Sequence, residues 1–160
     1  MKERIFQASE IARLVGIPQP KLAKFMESPG YKLNSSLREK AGRGAPRLYN
    51  LDDLLAVALA WWLFQAGLRS QVIGQVISAS ETARLLTESE HWKQSENRLL
   101  VIGRQIESPH GRPEQKVSFV SAKAVADDVQ SYLRRSLLVL PLGRLLRELW
   151  EQLRMEKHEE

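Results

Sequence analysis

The sequence contains no cysteine among its 160 residues. This absence excludes disulfide bridges, thiolate metal sites and cysteine-based redox switches, and it suits a reducing cytoplasm. Long apolar runs are also absent, because the longest, residues 54–64, has 11 residues, which is fewer than a membrane-spanning helix needs. The first residues lack the apolar core of a signal peptide, so we expect a cytoplasmic protein with no membrane partner.

Recognisable catalytic and metal-binding motifs are missing as well. His91, His110 and His158 are isolated, with neither HxxxH nor HxH spacing. Asp127 and Asp128 are neighbours on a predicted helix and therefore point apart, which is poor geometry for general acid–base catalysis. The phosphate-binding patterns GxGxxG and GxxxxGK[ST] do not occur. We therefore predict that the protein is not an enzyme and binds no cofactor and no metal.

What the sequence does have is a concentration of positive charge near its N-terminus. Residues 1–50 hold ten Lys and Arg against four Asp and Glu, whereas residues 51–100 hold four against six. A localised basic surface attracts the nucleic-acid backbone through counterion release. A basic face kept only for solubility is the alternative. Binding to a membrane surface fits less well, because residues 1–50 contain no long amphipathic helix.

The N-terminal third predicts two short helices joined by a turn. The apolar spacing in residues 10–15 indicates one helical face, and Gly16 ends that helix. Pro18 and Pro20 suit the first turn of a second helix over residues 19–27, whose inner face carries Leu22 and Phe25. This arrangement is typical of a helix–turn–helix.

A positive, irregular segment and a third helix follow. Arg47-Leu48-Tyr49 predicts a short strand that closes a hairpin with Gly42-Arg43-Gly44 at its tip. Asn50 is a favourable N-cap for the next helix. Residues 54–64 are apolar on every side, so this helix is expected to be surrounded by protein. A further amphipathic helix is predicted from residue 68 to about residue 86.

The second half has a different pattern, after a predicted linker over residues 88–97. We predict strands at residues 99–102, 117–120 and 137–140, with the first two forming a β-hairpin. Between the second and third strands, a helix presents Val125, Val129, Tyr132 and Leu133 on its inner face. The last helix carries Leu142, Leu146, Leu149 and Leu153 as a seam for dimerisation, with core packing as the alternative. The domains predicted are residues 1–87 and 98–160.

The order of motifs over residues 5–77 resembles the DNA-binding head of the mercury-resistance-regulator (MerR) family. The residues that carry the resemblance are Ile5-Phe6, Glu10-Ile-Ala-Arg-Leu-Val-Gly16, Leu22, Phe25, Arg47-Leu-Tyr49, Asp53-Leu54 and Gly67-Leu68. The family usually has Ser or Thr capping both early helices, where this chain has Gln7 and Pro18. Its metal and thiol sensing through cysteine is excluded here.

The resemblance implies an α+β, mainly α fold. Over residues 5–77 it implies four helices and a small wing hairpin that form a winged helix–turn–helix. The C-terminal region matches no family that we recognise, and its residue patterns alone predict a β-hairpin, a helix, a short strand and a terminal helix. The resemblance also implies that helix 19–27 enters the major groove and that wing 40–47 lies on the DNA backbone. The expected DNA-binding residues are Gln19, Lys21, Lys24, Arg38, Lys40, Arg43, Arg47 and Tyr49.

We therefore expect a MerR-like transcriptional regulator that is cytoplasmic and nucleoid-associated, binds double-stranded DNA as a homodimer and contacts RNA polymerase. One alternative is an architectural, excisionase-like factor that binds and bends DNA. Another is an antitoxin-like protein-interaction module. Trp61, Trp62 and Trp92 are interpreted either as lining a small-molecule pocket or as aromatic core.

Overall fold

The computed structural model describes residues 4–31, 33, 47–79, 98–103, 106–107, 113–114 and 117–155. The chain divides into two compact units, Met1–Ser78 and Ala79–Glu160. The fold is α+β and mainly helical, with small antiparallel sheets. None of the described helices has the length and apolar character needed to cross a membrane. The predicted linker, residues 88–97, lies outside the described residues.

The first unit begins with strand β1 (Phe6–Gln7) and helix α1 (Ala8–Val15). Gln7 is the N-cap residue of α1, and its backbone N–H donates to the Glu10 carboxylate at 3.2 Å. The sequence placed Gln7 at this N-cap position, and Glu10 supplies the acceptor expected of a capping box. Gly16, at φ 70°, ends the helix in the left-handed conformation that glycine adopts readily.

Helix α2 (Gln19–Glu27) has the predicted bounds. The Pro18 carbonyl accepts from the backbone N–H groups of Lys21 at 2.8 Å and Leu22 at 3.0 Å, which closes the first turn. Pro20 lies within that turn, where the N–H it lacks would have no intrahelical partner. A 3₁₀ turn (Pro29–Tyr31) follows α2. The two prolines therefore define where the second helix begins, as predicted.

Strand β2 (Leu48–Tyr49) pairs antiparallel with β1, with Phe6 opposite Tyr49 and Gln7 opposite Leu48. The sequence predicted this strand as one side of a hairpin with its tip at residues 42–44. Those residues lie outside the described part of the chain. The partner that the structure gives β2 comes from the N-terminal strand, which brings two sequence-distant segments together beside α1.

Helix α3 (Leu51–Gln65) is the centre of the first unit and contacts both α1 and α4 (Ser70–Ser78). Asn50 caps it reciprocally: the Asn50 Oδ1 atom accepts from the Asp53 N–H at 2.9 Å, and the Asp53 carboxylate accepts from the Asn50 N–H at 3.0 Å. Seven of its apolar residues are buried, which confirms that this helix is enclosed by protein. The predicted continuation of α4 to about residue 86 lies outside the described residues.

The second unit contains a three-stranded antiparallel sheet in which strand β3 (Arg98–Gly103) lies between β6 (Val117–Ser121) and β7 (Ser136–Leu140). All three strands were predicted, and Pro141 directly follows the edge strand β7, which is a usual place for proline. A separate short pair, β4 and β5, lies between β3 and β6 in sequence. The bounds are β3 (Arg98–Gly103), β4 (Ile106–Glu107), β5 (Pro113–Glu114), β6 (Val117–Ser121), α5 (Ala122–Asp127), α6 (Val129–Arg135), β7 (Ser136–Leu140) and α7 (Leu142–Met155).

The single helix predicted between β6 and β7 is two helices, α5 and α6, which separate at Asp128. The Asp128 carboxylate accepts from the Ser131 N–H at 3.3 Å and so begins a new helix. The prediction that Asp127 and Asp128 lie side by side on one helix is therefore wrong. Val129, predicted on the inner face, is 44% exposed, because it stands at the start of α6.

Helix α7 contacts β3, and its apolar side is core within one chain. The four leucines of the predicted dimer seam each have an exposed fraction of 6% or less: Leu142, Leu146, Leu149 and Leu153. A side chain buried this deeply is not available to a second copy unless α7 separates from the sheet. The seam thus corresponds to the core-packing alternative.

Replacing Asn50 by Ala is expected to reduce the free energy of unfolding by about 1 kcal/mol, because α3 loses its N-cap acceptor. Asn50→Ser, which retains an acceptor at this position, serves as the matched control. Thermal unfolding followed by circular dichroism measures both. Equal stability of the Ala variant and the unchanged protein would contradict the role given to this cap.

Leu146→Ala is expected to reduce the free energy of unfolding by about 2–5 kcal/mol, since it opens a cavity under α7. The exposed neighbour Gln152→Ala is the control. Because the leucine is core within one chain, the assembly size of the folded variant should equal that of the unchanged protein. A change of assembly size in the folded Leu146 variant would instead identify a dimer seam.

Candidate nucleic-acid interface

Helix α2 separates a buried face from an exposed one. Leu22 and Phe25 are each 1% exposed and fix the helix to the rest of the first unit. At about 100° per residue, the exposed positions cover an arc of roughly 140° on the opposite side. These exposed positions are Gln19, Pro20, Ala23, Lys24 and Glu27. The arc is wide enough for one side of the helix to enter a groove without disturbing the core.

The predicted DNA-binding residues of α2 differ in their surroundings. Gln19 and Lys24 are exposed, as a contact with a large ligand requires. Lys21 is half-buried, and its Nζ atom lies 4.2 Å from the centroid of the Phe64 ring on α3. A cation above an aromatic face is attracted by about 0.5–1 kcal/mol near the surface. Lys21 therefore also helps to hold α2 against α3.

Four aromatic rings continue this contact between α2, the 3₁₀ turn and α3. The Phe25 ring stacks on Tyr31 with centroids 4.2 Å apart and meets the edge of Phe64 at 5.4 Å. Trp61 and Phe64 are stacked at 5.6 Å. Trp61 is half-buried within this ring cluster and Trp62 is half-buried beside it in sequence, whereas Trp92 lies outside the described residues. Burial also raises the pKa of the Tyr31 hydroxyl.

Tyr49 lies on β2 and Arg47 directly precedes that strand, and the two side chains differ in exposure. Arg47 is exposed, whereas Tyr49 is 1% exposed and lies opposite Phe6 in the β1–β2 pair. The prediction that Tyr49 contacts DNA is wrong, because its side chain is core. Burial raises the pKa of the Tyr49 hydroxyl, while the charge of Arg47 and its side-chain hydrogen bond to Tyr49 act in the opposite direction.

The remaining predicted contacts, Arg38, Lys40 and Arg43, lie outside the described residues. The structure therefore brings Gln19, Lys21 and Lys24 onto one helix and places Arg47 directly before β2 in the same unit. The sequence prediction assigned no DNA contact to Ala23 or Glu27, although both are exposed on α2. Because these residues follow Gln19 by four and eight positions, the sequence alone could have placed all three on one face of the helix.

Arg4 is a further basic residue that the prediction did not use. One of its guanidinium nitrogens lies 3.0 Å from a carboxylate oxygen of Glu10, and the guanidinium carbon is 5.0 Å from the centroid of the Phe6 ring. These contacts tie the N-terminal strand to the first turn of α1. Arg4 therefore helps to stabilise the fold of the first unit.

Within the described ranges, no group of three or more His, Asp or Glu residues is arranged to hold a metal ion. Comparison with known proteins adds no functional assignment. No protein-family model matches the chain, and no curated protein matches it with significant similarity.

Because its pKa is raised, the Tyr49 hydroxyl is expected to lose its proton at a higher pH than an ordinary tyrosine does. Tyr49→Phe should remove one phenolate transition from the absorbance titration, and the difference from the unchanged protein should have its midpoint above pH 10.0, the ordinary value. Because the folded state favours the neutral hydroxyl, this residue's contribution to stability is complete below pH 10.0 and is lost as pH rises further.

In the same titration in urea, the transition assigned to Tyr49 should return to the ordinary range, because unfolding removes its burial. A difference spectrum with a midpoint at or below pH 10.0 in the folded protein would contradict a pKa on which burial has a larger effect than the charge and hydrogen bond of Arg47.

Proposed function

We propose that the first unit is a winged helix–turn–helix head of the kind found in the MerR family and that the protein is a DNA-binding transcriptional regulator. The observation that carries this proposal is the division of α2. Leu22 and Phe25 are buried, whereas Gln19 and Lys24 are exposed on the other side. In this proposal, that exposed side enters the major groove.

The arrangement of the neighbouring elements supports the same function. α1 and α2 contact each other and are separated by the three residues 16–18, as in a helix–turn–helix. The β1–β2 pair ends at Tyr49, directly before the N-cap residue of α3, and Arg47 directly precedes its second strand. Arg47 lies where the proposed wing, residues 40–47, would rejoin the core and meet the DNA backbone.

Charge favours a polyanionic partner for this unit. The excess of six positive charges in residues 1–50 exceeds the net charge of +5 for the whole chain. Neutralising phosphates with such side chains releases condensed counterions, so binding should weaken steeply as salt is added. The proposed regulator acts as a homodimer, with contacts other than the buried leucines of α7 joining the two copies.

Lys24→Ala and Arg47→Ala should each weaken binding to duplex DNA and reduce the slope of log affinity against log salt by about one, since each removes a phosphate contact. Fluorescence anisotropy with a labelled duplex at several salt concentrations measures both quantities. Lys123→Ala, which removes an exposed lysine of the second unit, is the charge-matched control.

The thermal midpoints of Lys24→Ala and Lys123→Ala should be unchanged, because these side chains are exposed. Arg47→Ala also removes the hydrogen bond to the buried Tyr49, so its midpoint should fall slightly, and its affinity is measured at a temperature at which circular dichroism shows the variant to be folded. The proposal would be contradicted if the Lys24 and Arg47 variants kept the affinity and salt slope of the unchanged protein. Equal weakening by Lys123→Ala would indicate that only net charge matters.

A further inference from the structure

The exposed side of α2 carries one row of residues without a positive charge. Gln19, Ala23 and Glu27 follow one another at intervals of four and are all exposed. Successive members are about 40° apart around the helix, so they form a nearly straight row along it. Lys24 lies about 60° beyond the end of this row, on the side that leads toward Lys21.

We propose that the row Gln19, Ala23 and Glu27 reads base edges and that Lys24 contacts phosphate beside it. This inference rests on the proposed DNA-binding function and adds to it the residues that determine the target sequence. Glutamine bonds adenine through N6 and N7, the alanine methyl group contacts the methyl group of thymine, and glutamate accepts from the N4 amino group of cytosine.

Glu27 is the member of the row that separates this assignment from simple solvent exposure. A carboxylate near a duplex is repelled by the phosphates, so Glu27 opposes the binding of every sequence equally unless it meets a donor. The cytosine amino group in the major groove is such a donor. Neutralising Glu27 therefore has opposite consequences in the two cases: lost preference for cytosine if it reads a base, and tighter binding to all duplexes if it does not.

The length of the row sets the spacing of the bases. Gln19 and Glu27 are eight residues apart, which is about 12 Å along an α-helix. With one base every 3.4 Å or so along a strand, that distance corresponds to roughly three to four base pairs. The adenine read by Gln19 and the cytosine read by Glu27 should therefore be three or four base pairs apart in one half-site.

The test is selection from a random duplex library with the full chain, comparing the unchanged protein with Gln19→Ala, Glu27→Gln and Lys24→Ala. The unchanged protein should select an adenine and a cytosine at the stated spacing, each preferred by roughly five- to one-hundred-fold. Gln19→Ala should lose the preference for adenine alone, and Glu27→Gln the preference for cytosine alone. Lys24→Ala should select the same motif and should weaken binding to all sequences by about the same factor.

Asp127→Asn, which removes an exposed negative charge from the second unit, is the control for net charge and should leave the motif unchanged. The inference is overturned if Glu27→Gln selects the unchanged motif and binds all duplexes more tightly. It is also overturned if the protein binds duplexes in a salt-dependent way without base preference, a result that leaves the proposed function standing. Failure to bind any duplex would overturn the proposed function itself.

Discussion

The burial of one side of α2 determines which residues of this helix can face a partner. Leu22 and Phe25 fix the rotation of the helix about its own axis, because both are almost fully withdrawn from solvent. Once that rotation is set, the helix geometry leaves only one choice of exposed residues, and these include Gln19, Ala23 and Lys24. A helix able to rotate would present no constant surface to a partner.

The contacts around Phe25 reinforce this constraint from α3. The Phe25 ring contacts the rings of Phe64 and Trp61, which stack on each other, and the ammonium group of Lys21 lies above the Phe64 ring. α3 is itself fixed at its start by the reciprocal bonds of Asn50 and Asp53. The cap of α3, the aromatic packing and the cation–π contact thus together hold the exposed side of α2 in one orientation.

Much of the fold could be predicted where local chemistry decides it, and less where tertiary contacts do. The two prolines and the apolar spacing placed α2 correctly, and Asn50 marked the start of α3. The break at Asp128 was missed because the apolar spacing continues through it, while the cap depends on one side-chain bond. A two-residue strand cannot reveal which side is buried, so Tyr49 was misassigned. The leucine spacing in α7 is compatible with either a core or a dimer interface, so the sequence could not distinguish them. The contact of Lys21 with the Phe64 ring could not be predicted either, because it joins two helices and has no characteristic sequence spacing.

The most direct test of the central claim uses the absence of cysteine from the chain. Ala23→Cys places a single thiol at the middle of the exposed side of α2, and Gln152→Cys places one on the exposed side of α7. The measurement is the rate of thiol alkylation with and without duplex DNA at low salt. If the exposed side of α2 contacts DNA, duplex DNA slows alkylation at position 23 and leaves the rate at position 152 unchanged. Equal alkylation rates at position 23 with saturating bound DNA and without DNA would contradict this contact.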